Sequence, residues 1–322
     1  MLFLYLVVLV TGVVGTHSQC PNFTPSQTCT CRAMKDKSGD EYSIITCRDL
    51  HSEDALQRIL ADCKELPIFE LELIDCSFRY LPHDTFVGTT IEVLSIRNSS
   101  IISLSDSNIA FEGLDNQLHL IEIVNCNYLS SWDWTQLSNL KHLMEIHVSD
   151  SELIHITDGL TSIQHLDIEA FVFHRNKIQD IVDNAFAFFE NLERLALDNN
   201  QISQLKRSMF PTKAKKLSIL GLSYNLLQDF PEDLFTNMPA LKSLYLTGNP
   251  LVTINERVFR PVWNHLKLFL FYATRLSCDC RIAWLTMEDN SRKYLHAECQ
   301  GPSIFKGRLL ESIKPQELMK CW

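Results

Sequence analysis

Leucine and isoleucine return along the middle of the chain at a fixed spacing. In residues 192–205, LERLALDNNQISQL, apolar residues stand at the first, fourth, sixth, eleventh and fourteenth positions. The later stretches LSILGLSYNLLQDF and LKSLYLTGNPLVTI have the same spacing. The LxL portion predicts a short strand whose leucines point to one side while the residues between them point to the other. In the first stretch, Arg194, Ala196 and Asp198 are therefore expected to face outward.

Nine such units follow one another, with 23 to 27 residues between equivalent positions. Each unit has a small polar or amide residue after the strand, at Cys76, Ser99, Cys126, Ser151, Asn176, Asn200, Asn225, Asn249 and Thr274. A period of this length predicts a solenoid, in which parallel strands stack about 4.8 Å apart. A buried Asn at this position can hydrogen-bond turn backbone groups that would otherwise stay unpaired, and Cys or Ser is small enough to replace it.

The spacing LxxLxLxxN/CxL is that of the leucine-rich repeat. The sequence therefore predicts an α/β solenoid, a horseshoe with about nine parallel strands on its concave face and disulfide caps at both ends. A second apolar position in each unit is expected to close the convex side. Recurring phenylalanines there indicate a buried spine: Phe86, Phe186, Phe210, Phe235 and Phe259.

The two ends of the chain differ from the middle. Residues 2–14 are apolar and are followed by small residues, which predicts a secretory signal peptide over residues 1–18; an uncleaved membrane anchor is the alternative, although a spanning helix needs about 20 residues. Eight of the eleven cysteines cluster near the ends. We therefore expect a cysteine-rich cap over residues 20–65, repeats over 66–276 and a second cap over 277–322, because end repeats expose apolar edges.

The stretches around these clusters resemble the cysteine-rich flanking modules of extracellular leucine-rich repeat proteins. The C-terminal stretch has the more specific pattern: CDC, then AWL, then two further cysteines. The resemblance implies four disulfides, Cys20–Cys31, Cys29–Cys47, Cys278–Cys299 and Cys280–Cys321. A zinc site is disfavoured, because the CxC spacing is tighter than the usual zinc CxxC.

Three cysteines remain between the two end clusters. Cys76 and Cys126 are two strands apart, about 9–10 Å, which is too far for a disulfide. Cys63 follows a predicted cap helix, DALQRILADCKEL, and could reach Cys76. Because eleven is odd, at least one thiol is free or intermolecular, and we expect a buried free Cys126.

The sequence lacks a pattern typical of catalysis or cofactor binding. GLSYN at 221–225 begins like a nucleophile elbow but lacks the second glycine, and His142, His147 and His155 lack metal-ligand spacing. We therefore expect a non-enzyme with no cofactor. The net charge of −10 argues against nucleic acid and against an anionic membrane as partners, and no later segment is apolar enough for membrane insertion.

A binding surface is the remaining prediction. The outward strand positions are acidic in the N-terminal half and apolar or aromatic at the C-terminal end, although Leu268 and Leu270 could simply pack under the cap. We predict protein binding by Tyr224, Tyr245 and Tyr272 with Arg194 and Asp198 at the rim, on one edge of the concave sheet. Binding through the convex side or the caps is the alternative. Sequons at Asn22 and Asn98 predict N-glycosylation, and a glycan at Asn98 would restrict the N-terminal half.

The whole chain resembles secreted arthropod leucine-rich repeat proteins related to the non-catalytic subunit of shrimp luciferase. The resemblance rests on the CTCR cap with its following helix, the first convex turn LP…TF.G, and SSWDWTQLSNL. It implies a secreted, extracellular partner protein without an activity of its own. Two functions remain open: recognition or adhesion, with a receptor or matrix component as the partner, and stabilisation of a secreted enzyme as its non-catalytic subunit.

Overall fold

The computed structural model describes residues 20–21, 23, 28–35, 41–64, 66–127, 132–287 and 293–318. Three helices are α1 (Glu53–Ala61), α2 (Glu256–Trp263) and α3 (Pro315–Leu318). The strands are β1 (Cys29–Lys35), β2 (Glu41–Arg48), β3 (Ile68–Ile74), β4 (Ser77–Tyr80), β5 (Val93–Arg97), β6 (Ser100–Ser103), β7 (Leu120–Val124), β8 (Glu145–Ser149), β9 (His155–Ile156), β10 (Ala170–Val172), β11 (Asp180–Ile181), β12 (Arg194–Ala196), β13 (Ile219–Gly221), β14 (Ser243–Tyr245), β15 (Leu268–Ser277) and β16 (Lys293–Gly301). Short 3-10 helices cover Trp134–Leu137, Asp158–Ile163, Arg207–Met209, Cys280–Thr286 and Leu310–Ser312.

Twelve of the described strands form one sheet in the order β1-β2-β3-β5-β7-β8-β10-β12-β13-β14-β15-β16. Nine of them are the repeat strands, β3 to β15, and they pair in parallel, which confirms the predicted horseshoe. The strands of the two ends join the same sheet: β2 pairs in parallel with β3, and β16 pairs in parallel with β15. Only β1, antiparallel to β2, reverses direction among the described strands.

The core lies between this sheet and the convex segments. The inward strand leucines are almost fully buried, for example Leu195, Leu220 and Leu244. All five phenylalanines of the predicted spine are buried and at most 1% exposed, which confirms that prediction. Phe235 and Phe259 pack with ring centroids 5.3 Å apart, so the convex side is closed by ring-to-ring contacts.

The asparagine positions form a hydrogen-bonded ladder in the last repeats. Asn225 donates its amide protons to the carbonyls of Leu197 and Leu222, and its Oδ1 accepts the Ile202 N–H at 3.1 Å. Asn200 and Asn249 bond in the same way one repeat before and one repeat after. Each amide therefore satisfies buried backbone groups of two successive turns, as expected from the sequence.

Serine and cysteine take this position in the first repeats. The Ser99 hydroxyl accepts the Cys76 N–H at 2.9 Å and donates to the Arg97 carbonyl. Ser151 repeats this arrangement with the Cys126 N–H and the Ser149 carbonyl. A hydroxyl thus replaces the amide, but it makes fewer hydrogen bonds.

Disulfides lie at both ends of the solenoid. Cys20–Cys31 and Cys29–Cys47 close the N-terminal end, and Cys278–Cys299 joins β15 to β16. These are the pairings that the resemblance implies. Cys280 is also disulfide-bonded, and its expected partner Cys321 lies outside the described residues.

The three remaining cysteines are free and buried. This confirms the buried free Cys126, and it shows that the possible Cys63–Cys76 disulfide is wrong. The Cys63 thiol instead donates to the Ile59 carbonyl of α1 at 3.2 Å, so its side chain points back into the helix. Burial raises the pKa of Cys63 to about 12 and that of Cys126 to about 11, so both stay as unreactive thiols.

Within the described part of the chain, no helix is both long and apolar enough to cross a membrane. The segment predicted to be a signal peptide lies outside the described residues.

Candidate protein-binding surface

The register of the sheet places three outward side chains of each repeat in rows across the concave face. The middle row runs through Glu72, Ser95, Glu122, His147, Val172, Ala196, Gly221, Tyr245 and Leu270. One row begins at Glu70 and includes Arg194, while another begins at Ile74 and ends at Tyr272. A residue of the concave face therefore has a fixed neighbour one repeat away, about 4.8 Å distant.

Carboxylates dominate the N-terminal half of this face. Glu72 accepts a hydrogen bond from Thr46, and Glu122 accepts hydrogen bonds from Ser95 and Arg97. Burial and the neighbouring negative charge of Glu72 raise the pKa of Glu70 to about 7. The positive charge of Arg97 only partly opposes this rise. The side chain of Glu70 is thus partly protonated near neutral pH.

Arg194 lies in the sixth repeat, in the row that begins at Glu70, and forms an ion pair with Glu145 at 2.9 Å. His147 bonds the same carboxylate oxygen at 2.8 Å. Burial would raise the pKa of Glu145, but the hydrogen bonds and charges of His147 and Arg194 hold it below the usual value. The three side chains form a network that spans β8 to β12.

This placement corrects one prediction. Arg194 begins β12, whereas Asp198 follows that strand, four residues further along. Four residues of extended chain span about 13 Å, so Arg194 lies at the opposite edge of the sheet from Asp198, Tyr224 and Tyr272. The expectation that all five residues share one edge is wrong for Arg194, and also for Tyr245, which lies in the middle row. The rows of the parallel strands are separated along the strand direction.

Asp198 is largely committed to the fold. Its Oδ1 accepts the Ser223 N–H at 2.8 Å, and its side chain lies directly over Gly221, where a Cβ would come within 2.0 Å of Oδ2. Burial raises the pKa of Asp198, and the hydrogen bonds from Ser223 only partly oppose this rise. Ser223 itself is buried, and its N–H is held by this carboxylate.

The C-terminal end of the concave face is aromatic. Tyr245 lies opposite Leu270, and Leu270 lies opposite Tyr294 on β16. Tyr272 is 49% exposed and stacks on His296 with ring centroids 5.1 Å apart. Leu270 is half-buried in this surface, as is Leu268 at the start of β15. The end strand β16 therefore extends the apolar surface instead of covering it.

Tyr224 lies at the rim, in the turn that follows β13. The residue before the asparagine position has a positive φ in eight successive repeats, at Asp75, Asn98, Asn125, Asp150, Arg175, Asn199, Tyr224 and Gly248. Asn, Asp and Gly tolerate this left-handed conformation, whereas a bulky aromatic residue does not favour it. Tyr224 has φ 55° and is 57% exposed.

Gly248 makes room for the ring of Tyr224. A Cβ at Gly248 would lie 2.5 Å from Tyr224 Cδ1, and Gly248 itself has φ 76°. Glycine is thus required here by both its backbone and its neighbour. The ring of Tyr224 lies across the next turn and stays open to solvent.

Sequence reasoning missed Tyr294, His296 and Gly248. The first two belong to the segment expected to be a cap, and nothing in their local pattern predicts that β16 continues the concave sheet. The TGN of LKSLYLTGNPLVTI gave a signal for Gly248, because glycine stands in the repeat where other units have Asn or Asp.

Asn98, one of the two sequon residues, is exposed on the rim in the N-terminal half. Its Oδ1 accepts a hydrogen bond from Asn125 at 3.0 Å, which leaves the amide nitrogen, the atom that a glycan would use, directed away from this bond. Asn22, the other sequon residue, lies outside the described residues.

The described residues contain no group of three or more His, Cys, Asp or Glu side chains arranged to hold a metal ion. His147 bonds Glu145, and His155 on β9 pairs with Asp180 on β11 at 3.3 Å. His142 contacts His119 with ring centroids 6.1 Å apart. Each of these histidines therefore has a local partner.

Known proteins with similar sequences carry the same repeat. The leucine rich repeat family matches residues 190–251 and 215–270. The non-catalytic subunit of Oplophorus-luciferin 2-monooxygenase from Oplophorus gracilirostris is 22% identical over 92% of this chain and 86% of its own length. Fibromodulin from Oryctolagus cuniculus is 36% identical over 26% of this chain, and the match spans about half, 54%, of that protein.

A solved structure has a similar fold. It is an octameric complex of Latrophilin 3, Unc5D and FLRT2, in which FLRT2 contributes leucine-rich repeats. The match has a TM-score of 0.64 and covers 86% of this chain and 90% of the matched chain at 17% identity, so it concerns the fold alone. The nine stacked strands, the ladder of polar side chains and these matches together show a leucine-rich repeat fold with disulfides near both ends.

Proposed function

We propose that this chain is a secreted, non-enzymatic protein that binds an extracellular protein through the C-terminal half of its concave face. The observation that carries the proposal is the aromatic surface formed by Tyr245, Leu270, Tyr272 and Tyr294 on three neighbouring strands. Tyrosines on a rigid sheet offer large apolar area together with a hydroxyl, and such surfaces are typical of interface centres. Tyr224 extends this surface to the rim.

The two charged residues expected beside the tyrosines have different roles in this proposal. Arg194 is held by Glu145 and contributes from the opposite edge of the sheet. Asp198 is held by Ser223, so its main effect is to shape the floor next to Tyr245. Both residues lie at the border of the binding surface, and the tyrosines supply most of the binding energy.

The test begins with a partner isolated by a pull-down with the mature protein as bait. Tyr245→Ala is expected to weaken binding by about 2 kcal/mol, or about thirtyfold, with little effect on folding. Tyr272→Ala is expected to act in the same direction. Tyr80→Ala is the matched control, because Tyr80 is an exposed tyrosine on β4, away from the concave surface.

Circular dichroism melts of the three variants separate binding from folding. If Tyr245→Ala and Tyr272→Ala melt normally and bind like the wild type, binding uses the convex side or the ends, and the assignment to the concave face is wrong.

A second function is favoured by one observation, the similarity to the luciferase non-catalytic subunit over most of both chains. In this alternative, the chain stabilises a secreted enzyme. The same pull-down distinguishes the two functions: an enzyme recovered in stoichiometric amount supports the subunit, and a receptor or matrix protein supports recognition or adhesion.

The proposal includes secretion, with residues 1–18 removed as a signal peptide, ends at 20–65 and 277–322 that cap repeats at 66–276, and a glycan on Asn98. The disulfides at both ends support it, because such bonds persist in oxidising compartments. N-terminal sequencing of protein from the medium tests the cleavage, and an intact Met1 in a membrane fraction would contradict it. Asn98→Gln tests the glycan by the loss of a mobility shift.

A further inference from the structure

Five lysines gather at the edge of the sheet where the last repeat strands begin. This lysine edge consists of Lys213, Lys215, Lys216, Lys242 and Lys267, all exposed. The Lys267 N–H donates to the Lys242 carbonyl, and the Lys242 N–H donates to the Ser218 carbonyl, at 2.8 and 2.9 Å. Lys242 and Lys267 therefore lie on adjacent repeats, and Lys215 and Lys216 lead into the repeat beside them.

The lysine side chains of this edge lack ion pairs with the described residues. None of the five ammonium groups makes an ion pair or a hydrogen bond with a residue in the part of the chain that the structure describes. Two other lysines of the repeats are paired, Lys177 with Glu152 and Lys206 with Asp183, at 2.7 and 2.9 Å. The chain carries ten more acidic than basic residues, so unpaired lysines side by side are not caused by a shortage of carboxylates.

Acidic residues border the lysine edge on the side of the earlier repeats. The Ser218 N–H donates to the Glu193 carbonyl, and the Glu193 N–H donates to the Glu169 carbonyl, so the same edge continues into earlier repeats as carboxylates. Burial and the charge of Glu193 raise the pKa of Glu169, and the positive charge of Lys216 partly opposes this rise. The edge therefore changes sign between Glu193 and Lys242, and positive charge is confined to the last three repeat strands.

The composition of the lysine edge does not fit the centre of a protein interface. Such centres are enriched in aromatic residues and Arg and depleted in Lys. The five lysines lack the planar fork by which Arg recognises carboxylates bidentately. Hydrated, mobile ammonium groups in a row instead suit a polymer with closely spaced anions, to which they bind by charge and counterion release.

We propose that the lysine edge is a binding site for a sulfated polysaccharide. Sulfate groups remain charged at every physiological pH and repeat along the chain, so one polymer can contact lysines of several repeats at once. The disulfides favour an extracellular polyanion over nucleic acid. The site lies at the opposite edge of the sheet from Tyr224 and Tyr272, and it is independent of the proposed protein-binding surface.

Heparin serves as the probe, with the mature protein applied to immobilised heparin near physiological salt. The wild type is expected to be retained, and the variant K215Q/K216Q/K242Q/K267Q is expected to bind at least about tenfold more weakly. The control K64Q/K141Q/K177Q/K306Q removes the same charge from exposed positions elsewhere and is expected to bind like the wild type. Thermal melts verify that both variants are folded.

Three outcomes would overturn the proposal. The wild type could pass through the column, both quadruple variants could lose affinity equally, or duplex DNA of matched charge could bind as tightly as heparin. Desulfated heparin is expected to compete poorly, because its anions are mostly removed. Since none of these assays uses the protein partner or the tyrosines, their failure would leave the proposed function unaffected, and the reverse also holds.

Discussion

The first four repeats and the next four are built on the same period but differ in how they turn. Repeat strands β3, β5, β7 and β8 have five to seven residues, whereas β10, β12, β13 and β14 have three each. The polar position after the strand is Cys or Ser in the first group and Asn in the second. The shorter strands thus coincide with the amide side chain.

The hydrogen bonds explain this difference. In the later repeats, the Asn225 amide takes the carbonyls of Leu197 and Leu222, which immediately follow their strands. In the earlier repeats, a hydroxyl such as Ser99 donates only once, and backbone pairing continues to Arg97 and Val124. An amide donates two hydrogen bonds and a hydroxyl donates only one, so an amide can replace more of the backbone N–H groups that would otherwise bond the strand carbonyls. The strand can therefore end sooner.

At the junction between the two groups, an asparagine turn adjoins a serine turn, and their hydrogen bonds do not match. Asn176 is the first asparagine of the ladder, and the preceding repeat carries Ser151. The Asn176 Nδ2 donates to the Val148 carbonyl at 2.7 Å, but its buried Oδ1 has no hydrogen-bond partner among the described residues. The ladder therefore becomes complete only when two asparagine repeats adjoin.

The surfaces differ along with the turns. The concave face of the first group carries Glu70, Glu72 and Glu122 around Arg97, and it is thus a charged surface with internal partners. The concave face at the C-terminal end carries exposed tyrosines. One repeat pattern therefore supports two chemically different surfaces, because the outward positions do not take part in packing.

Removal of one ladder amide is expected to have the largest effect on stability. Asn225→Ala would leave the Ile202 N–H buried without a partner, and it would remove one of the two amide donors that each of the carbonyls of Leu197 and Leu222 accepts from. We expect it to lower the free energy of unfolding by about 4 kcal/mol, and Ser99→Ala, which removes two bonds, to lower it by about 2 kcal/mol. Urea unfolding monitored by circular dichroism measures both.

Equal losses in the two variants would contradict the comparison, because they would show that hydroxyl and amide turns are equivalent. Asn225→Asp separates shape from hydrogen bonding, since it keeps the size of the side chain but removes the amide protons.

Relief of the strained turn is expected to have a smaller effect of opposite sign. Tyr224→Asn replaces an aromatic residue in a left-handed turn with the residue found at the same place in other repeats. We expect the free energy of unfolding to rise by about 1 kcal/mol. Binding of the isolated partner is expected to weaken, because the exposed ring is lost. Thermal melts and titration measure the two effects on the same preparation.

Asn199→Tyr is the matched control, one repeat earlier. It places a ring in the same conformation, but the next turn presents Tyr224 instead of Gly248, so the variant should be less stable than the wild type. A stable Asn199→Tyr, or a Tyr224→Asn without added stability, would show that the turn carries no strain.

The last expected effect concerns pH and the acidic half. The pKa of Glu70 rises from 4.5 to about 7 on folding, because burial and the neighbouring carboxylates disfavour its charged form. The positive charge of Arg97 opposes this rise only in part. The folded protein therefore binds the proton more tightly than the unfolded chain. This stabilisation is complete below about pH 4.5 and is lost as the pH rises through about 7.

Glu70→Gln is expected to remove that dependence. Melting temperatures measured from pH 5 to pH 8 should decline less for Glu70→Gln than for the wild type. Glu190→Gln, at an exposed position of the later repeats, is the control and should decline like the wild type. Parallel declines in all three proteins would show that Glu70 does not titrate in this range.

Much of the architecture follows from the sequence alone. The LxxLxLxxN period predicts parallel strands, a buried ladder position and inward leucines, because each of these depends on a few neighbouring residues. The spine through Phe235 and Phe259 could be predicted for the same reason. The free Cys126 followed from strand spacing, since two stacked strands are too far apart for a disulfide.

Other features depend on the stacking of distant segments, which no local pattern encodes. Only the tertiary structure shows that β16 continues the concave sheet and brings Tyr294 beside Leu270. Only the register places Arg194 across the sheet from Tyr272 and ties it to Glu145, 49 residues away. The sequence determined which side chains point inward, because burial imposes the period. The tertiary structure decided which outward side chains meet, because solvent-facing positions are free of that constraint and their neighbours come from other repeats.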